Sequence, residues 1–504
     1  MTERTNEKGK ENMKRLICII LALAMLLSFA ACGRNKTVTP SKDDPMNNNT
    51  ADLASYALSK LDIYDKEMAP FPNEQDYTDS KTGSINWEAY DKAYRAWQEQ
   101  FNERYDAAES YKTGEAAEAL KKYFNKIMPA LAQSQTGENY AASPINIFMA
   151  LCMLAEMTDG ETREQILDLL GTGNLENTRT LAQAIWKANY TDDEITKSLL
   201  SASVWINEEY EVKDETIAKL AEYYYATAWA GDPKDKAFSR AFKDWLDEQT
   251  GGLLKDAVES LDDFDEDLIL ALATTVYFKA PWRDEFADHL TTKDTFHLIG
   301  SDKEVDFMHS SDKGTVYYGD GFMAVKLGFV NGGGMWILLP DEGTSPESLF
   351  DPYMYIQMVN EDGKMPYQPA SPAAEFLLTD GESAKGNEFG IIKLSLPKFD
   401  ADATTDLKDI LQMLGVTDAF DPEKADFTPL TDTPAVVTGA THSARVKIDE
   451  EGVEAAAFTV MMVSATGAYI EPKEIEFNAN RPFLFAVTGI DGLPLFIGTV
   501  NDPS

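Results

Sequence analysis

The 504-residue sequence is poor in the residues that staple a fold or build a catalytic centre. It has three cysteines, Cys18, Cys32 and Cys152, so no disulfide framework is available and the core must hold by packing. Cys18 lies in an apolar leader, and Cys152 sits in the run ALCMLAEM, where a thiol behaves as a small buried hydrophobe. Only four histidines occur, His289, His297, His309 and His442. No two of them share a helix face and there is no C-x-x-C, which argues against a metal site. A G-x-S-x-G elbow, a P-loop and a dinucleotide fingerprint are all missing, so the sequence offers neither an enzyme nor a cofactor. Basic residues are scarce as well: 45 Lys and Arg against 85 Asp and Glu leave a net charge of −40. That balance argues against nucleic-acid binding by phosphate neutralisation and against electrostatic adhesion to an anionic membrane surface. It describes a solvated, self-repelling surface.

What is present is ample apolar material, 44% of residues, preceded by a processing signal. Residues 13–33 read MKRLICIILALAMLLSFAACG: Lys14 and Arg15, an apolar stretch, then Ala30, Ala31, Cys32 and Gly33. This is a secretory leader and takes no part in the fold. Its end resembles a bacterial lipobox, with Phe29 where Leu is usual, which implies that Cys32 carries a lipid and becomes the mature N-terminus. Residues 33–50 then form a flexible tether. The expected location is secreted and lipid-anchored, on the outer face of a bacterial cell membrane.

Residues 51–112 are acidic and aromatic-rich, and Trp87, Tyr90, Tyr94, Trp97, Phe101 and Tyr105 recur at helical spacing behind a cap at Asn86. Such a stripe is either a platform for a carbohydrate or partner, or the docked face of an amphipathic helix; the second is the simpler expectation. From residue 113 onward helical runs (EALKKYFNKIMPALAQ, REQILDLLG) give way to strand-like ones (LILALATTVYF, MWILLP, IIKLSLPKF, PFLFAVTG). LILALATTVYF has the unbroken apolarity of a strand covered on both faces. Residues 359–388 read as an inserted surface loop. The order predicts an α+β fold with large sheets.

Five separated motifs then occur in one order: SPINIFMALCMLAEMTDGETREQIL, TTVYFKAPWRDEF, KLSLPKFDADATTDLKDILQMLGVTDAFDPEKADFT, HSARVKIDEEGVEAAAFT and FNANRPFLFAV. Together they resemble the serpin family over residues 113–504. The resemblance implies three β-sheets, eight to nine helices and an exposed reactive-centre loop. It also implies a monomeric suicide inhibitor, whose partner is a target serine protease held as a covalent acyl complex. The protease cuts the loop, which then enters the main sheet as a new strand. By the same resemblance Glu450 is the hinge glutamate with Lys398 as its partner, and Trp282 packs nearby. His442 is the central histidine with Ser143 opposite. Two departures stand beside it, Thr274 where Asn is usual and Asn146 where Ser is usual. We expect a compensating swap, the amide having moved to the facing helix so that His442 keeps a partner.

The segment after Gly452 can be read for its ability to enter a sheet. It contains no Pro before Ile470 and a single charge, Glu454. Alternation puts Val453, Ala455, Ala457, Thr459, Met461 and Val463 on one face, and Glu454, Ala456, Phe458, Val460, Met462 and Ser464 on the other. Gly452 is a permissive pivot and Ala455–Ala457 are small enough to pass between strands. Phe458 departs from the small residues usual there. Counting from Gly452 as the family does places the scissile bond at Thr466–Gly467, with Ala465, Ala468 and Tyr469 left open by a slightly longer loop. No Lys or Arg lies between Val453 and Ile470, which makes trypsin-like proteases poor targets and favours elastase-like or subtilisin-like ones. Tyr469 or Met462 would suit a chymotrypsin-like pocket. A non-inhibitory serpin acting as a surface binding protein is the alternative.

Overall fold

The computed structural model describes residues 56–59, 69, 72 and 74–503, except 135–136, 194, 267, 331, 351–370 and 454–472. The leader, Cys32, the tether and the loop residues Glu454, Ala455, Ala456, Ala457, Thr459, Thr466 and Gly467 lie outside the described residues.

Among the described residues there are ten α-helices, nine of them after residue 113, and the strands form two hydrogen-bonded networks of eight and nine. This is the α+β architecture expected. The resemblance implies three sheets; here the second and third run together through one 18-residue strand, Ser301–Tyr318. That strand pairs with Gly386–Pro397 along most of its length, with Thr292–Leu298 at its start and with Phe322–Gly328 at its end.

The first network carries the candidate site. Numbered in chain order, its principal strands are β1 (Ala57–Ser59), β2 (Lys197–Asn207), β3 (Ala226–Gly231), β4 (Leu270–Pro281), β5 (Phe399–Asp406), β6 (Thr441–Ile448) and β7 (Gly452–Val453). Their spatial order is β1-β3-β2-β4-β7-β6-β5. β4 is the predicted double-faced strand. Leu272, Val276 and Phe278 join the main core, and Ala271 and Ala273 join a second aromatic core on the outer side.

Helices cover both faces. The first five are α1 (Trp87–Ser110), α2 (Gly114–Gln133), α3 (Pro144–Met157), α4 (Gly160–Leu170) and α5 (Leu175–Asn189). α6 (Asp214–Tyr224) follows, then α7 (Lys236–Gln249), which lies over the outer side of the sheet. α3 is apolar all round and almost wholly buried, including Cys152, whose thiol burial pushes well up from its ordinary pKa. Ser143 caps α3 by accepting the Asn146 N–H, and Pro144 occupies its first position, where no backbone donor is needed.

The aromatic stripe belongs to a docked helix. Asn86 caps α1 through the Ala89 N–H, and the rings of Tyr90, Tyr94, Trp97 and Phe101 pack one above the next. Arg104 Nε donates to Ala188 O at 3.1 Å, and Tyr111 Oη donates to the buried Asp491 carboxylate at 2.6 Å. β1 adds an edge strand to β3, so the segment before residue 113 also extends the sheet. The expected insertion is corrected in part. Pro372–Leu378 is a helix capped by Ser371 and buried through Ala373, Ala374, Phe376 and Leu377, and Gly386 already begins a strand. Its apolar spacing is short and follows a polar stretch, which hid it; residues 359–370 lie outside the described residues.

Candidate functional site

β6 ends at Ile448, and the chain turns through Asp449, Glu450 and Glu451 into β7. The turn is held by one carboxylate: Asp449 Oδ1 accepts the Glu451 and Gly452 N–H groups at 3.0 and 3.3 Å. β7 is seated between two strands. Val453 pairs with Ile448 on one side and with Ala280 on the other, and Gly452 pairs with Pro281. Among the described residues no backbone pairing joins β4 to β6 directly; β7 is the link. A Cβ on Gly452 would stand 2.3 Å from Ala280 O and 2.8 Å from Pro281 Cα, so glycine is required here by close approach of backbones. Pivoting freedom, the reason expected from the sequence, is secondary.

Glu450 and Lys398 meet as expected. Lys398 Nζ donates to Glu450 Oε2 at 2.8 Å, and Thr291 Oγ1 donates to Oε1 at 2.7 Å. The glutamate side chain is 13% exposed and the lysine 40%. Burial pushes the Glu450 carboxyl up, but the bonds from Lys398 and Thr291 outweigh it and hold the group below its usual range. The same bond to Glu450 holds the Lys398 ammonium above its own. Trp282 is buried beside this pair. Its ring stacks on Phe329 at 5.3 Å, its Nε1 donates to Asp449 O at 2.9 Å and its backbone N–H to Glu451 O. Thr291, Asp449 and Phe329 were missed by sequence reasoning. Asp449 alone carried a local signal, an Asp three residues before a Gly.

Farther down β6, His442 is buried at 5% exposure. Its Nε2 accepts the Ser143 backbone N–H at 2.8 Å, so the neutral ring keeps its proton on Nδ1. Burial pushes its pKa down to about 4. The expected swap is corrected: Asn146 is not the partner of His442. Asn146 Nδ2 donates to Thr274 O at 3.0 Å, and Thr274 Oγ1 donates back to Asn146 O at 3.4 Å. Asn146 lies in the first turn of α3, facing β4, and closes the helix–strand seam there. The histidine instead takes the N–H of the cap residue, a donor that no helical carbonyl claims. Lys398, Trp282, Glu450, Gly452 and Val453 thus form one cluster at the top of the sheet, and His442, Ser143, Asn146 and Thr274 form a second below it.

A two-residue strand seated between two strands that do not pair with each other, beside the buried Glu450 of a large α+β sheet, is the arrangement that the serpin resemblance implies. The comparisons agree. The family model described as "Serpin (serine protease inhibitor)" matches residues 118–503, and the chain belongs to the serpin family. Serpin-Z2A of Triticum aestivum is 28% identical over 386 residues, covering 73% of this chain and 91% of the relative. Serpin-ZX of Arabidopsis thaliana is 28% identical over 382 residues, 72% and 92% of the two chains. The thermophilic serpin tengpin in its native state superposes with a TM-score of 0.63 at 25% identity, covering 78% of this chain and 95% of that one. Serpins as a family are protease inhibitors and not enzymes.

Proposed function

We propose that this chain is a suicide-substrate inhibitor of serine endopeptidases, most suited to elastase-like or subtilisin-like enzymes, and tethered by lipid at Cys32 to the outside of a bacterial membrane. The observation that carries the reading is the seat of Gly452–Val453 between β4 and β6. Val453 points into the core there, at 3% exposure. Continuing the same register would send Ala455, Ala457 and Thr459 inward, as the sequence alternation requires. It would also set Glu454 level with Lys279 on β4 and Lys447 on β6. The loop's one charge would then enter the sheet between two lysines on its outer face. Cleavage at Thr466–Gly467 would release the segment for that movement, and insertion would carry the acyl-linked protease with it.

The test is incubation of residues 33–504 with an elastase and with subtilisin, read by denaturing gel and mass spectrometry. The expected result is a covalent complex that survives denaturation and a released peptide beginning near Gly467. The cleaved protein should also melt at a markedly higher temperature than the intact one. Complete cleavage without a complex and without that gain would overturn the reading in favour of a binding protein whose loop is merely a substrate.

A further inference from the structure

The connection between α7 and β4 crosses the sheet on its outer side, and it is fastened to both strands that flank β7. Val453 pairs with Ala280 and Ile448 at one level. Tyr277 lies three residues before Ala280, and Arg445 three before Ile448, so the two stand level across the opening. Both face outward: Lys447 beside Arg445 is exposed, while the alternate residues Ala444, Val446 and Ile448 are buried in the core. Gly251 packs on the Tyr277 ring so closely that a Cβ would lie 2.7 Å from Tyr277 Cζ, and its φ of +60° is one that side chains other than glycine resist. Two residues on, Leu253 O accepts a hydrogen bond from Arg445 Nη1 at 2.9 Å. Arg445 is itself braced by a bidentate pair to Asp400 on β5, Nε to Oδ1 at 2.7 Å and Nη2 to Oδ2 at 2.6 Å.

The rest of the connection belongs to the other side of the opening. α7 is bolted to β2 and β3 by Phe238, Phe242 and Trp245 around Trp205 and Trp229, with Trp205 to Phe242 ring centroids 5.4 Å apart. Ser201 of β2 donates to Gln249 at 2.7 Å, Asn207 of β2 to Leu268 O at 2.9 Å, and the Phe264 N–H to Ser239 of α7. When β4 and β6 part, Tyr277 and Leu253 must stay with α7 while Arg445 and Asp400 leave with β6 and β5.

We propose that Arg445 is a latch: its bond to Leu253 O clamps the α7–β4 connection across the mouth of the sheet and sets the rate at which a strand can enter. The proposal rests on the insertion reading above. It makes Arg445 a positioning residue with no contact to the protease. Arg445→Lys keeps a cation beside Asp400 but cannot bond Asp400 and Leu253 O together through a planar fork, and Arg445→Met removes all three bonds.

The experiment cuts the loop with a protease and follows the gain in thermal stability with time, alongside hydrogen exchange of amides 250–261 in the uncut protein. Arg445→Lys should fold with a melting temperature within a few degrees of wild type, expose amides 250–261 to faster exchange, and insert several-fold faster. Arg445→Met should be faster still and reach the same final melting temperature. If Arg445→Lys loosens the connection yet inserts at the wild-type rate, the latch is refuted, and unchanged exchange refutes it equally. A wild-type protein that never gains stability on cutting sinks the insertion reading first and the latch with it.

Discussion

Mild acid should loosen the sheet through His442, above the range in which the carboxylates titrate. A buried neutral imidazole must stay neutral for the fold to hold: its Nε2 is the acceptor for the Ser143 N–H, and a proton placed there abolishes the bond. The unfolded chain protonates the same ring near pH 6.5, whereas burial holds the folded-state pKa to about 4. Stability from this group is therefore fully present above pH 6.5. It declines as pH falls from 6.5 to 4, because over that window the unfolded state binds a proton that the folded state refuses. The difference of about 2.5 pH units corresponds to about 3 kcal/mol at about 1.4 kcal/mol per unit, an order-of-magnitude figure.

The assay compares wild type with His442→Gln, whose side-chain oxygen can accept the Ser143 N–H but does not titrate. Urea unfolding followed by tryptophan fluorescence at pH 7.5, 6.5, 5.5 and 4.5 gives the two stabilities. The carboxylates titrate in both proteins and cancel in the difference. At pH 7.5 the variant should be the weaker by about 1–2 kcal/mol for imperfect packing. By pH 4.5 that deficit should have vanished or reversed, the wild type alone having lost the imidazole contribution. With four histidines in the chain, carbon-detected titration of the ring signals measures the His442 pKa directly. A value near 6.5, or two stabilities that fall in parallel, would refute the reasoning.

The Lys398–Glu450 pair should be worth about 1 kcal/mol or less in a double-mutant cycle, since the lysine is 40% exposed and screened; Thr291→Val should weaken it further by removing the second donor to the carboxylate. Because Glu450 is held below its usual range, that contribution is complete above about pH 4.5 and is lost as pH falls through the folded value. Gly452→Ala should cost about 1–3 kcal/mol by overpacking against Ala280 O and unseat Val453, seen as faster exchange of the Val453 amide. Asn146→Ser should cost about 1–2 kcal/mol, because Thr274 O loses its donor inside the α3–β4 seam, and it should leave the His442 titration unchanged. Reversing both Lys279 and Lys447 to Glu should slow the stability gain that follows loop cleavage while leaving the intact protein's melting temperature within a few degrees, since neither lysine forms an ion pair among the described residues.

Most of the first sheet is legible in the sequence motifs. LILALATTVYF announced a strand covered on both faces, and β4 is covered by the main core on one side and the α7 aromatic cluster on the other. Glu450 with Lys398, and His442 with Ser143, were placed by resemblance, and both pairs meet. What stayed hidden is what depends on direction. Asn146 was the right residue with the wrong partner: the resemblance put it near His442, and only the helix geometry turns its amide to Thr274 O. Gly452 was noticed for its freedom and is needed for its size. Arg445 carried no signal at all, because a basic residue on the exposed face of a strand reads as ordinary solvation. Its meaning comes from Leu253, a carbonyl supplied by a stretch of chain nearly two hundred residues away.

The ties along β6 fall at regular intervals, and that spacing has a mechanical consequence. Ile448 pairs with β7, Arg445 reaches Leu253 O on the outer face, and His442 holds Ser143 on the inner face. Successive ties are three residues apart, so about 10 Å separates each from the next, and an odd step alternates the face on which each acts. A strand entering from the β7 end meets them in turn: first the turn carrying Glu450, then the outer clamp, then the inner one. Each tie rests on a few hydrogen bonds or an ion pair, each worth about 1 kcal/mol. Broken together they would present a barrier of several kcal/mol, but broken in sequence each loss can be offset by the ladder bonds the entering strand has just gained. On the proposed insertion mechanism, restraints distributed along β6 and not concentrated at one point would keep the sheet closed before cleavage and let it open from one end once the loop is cut.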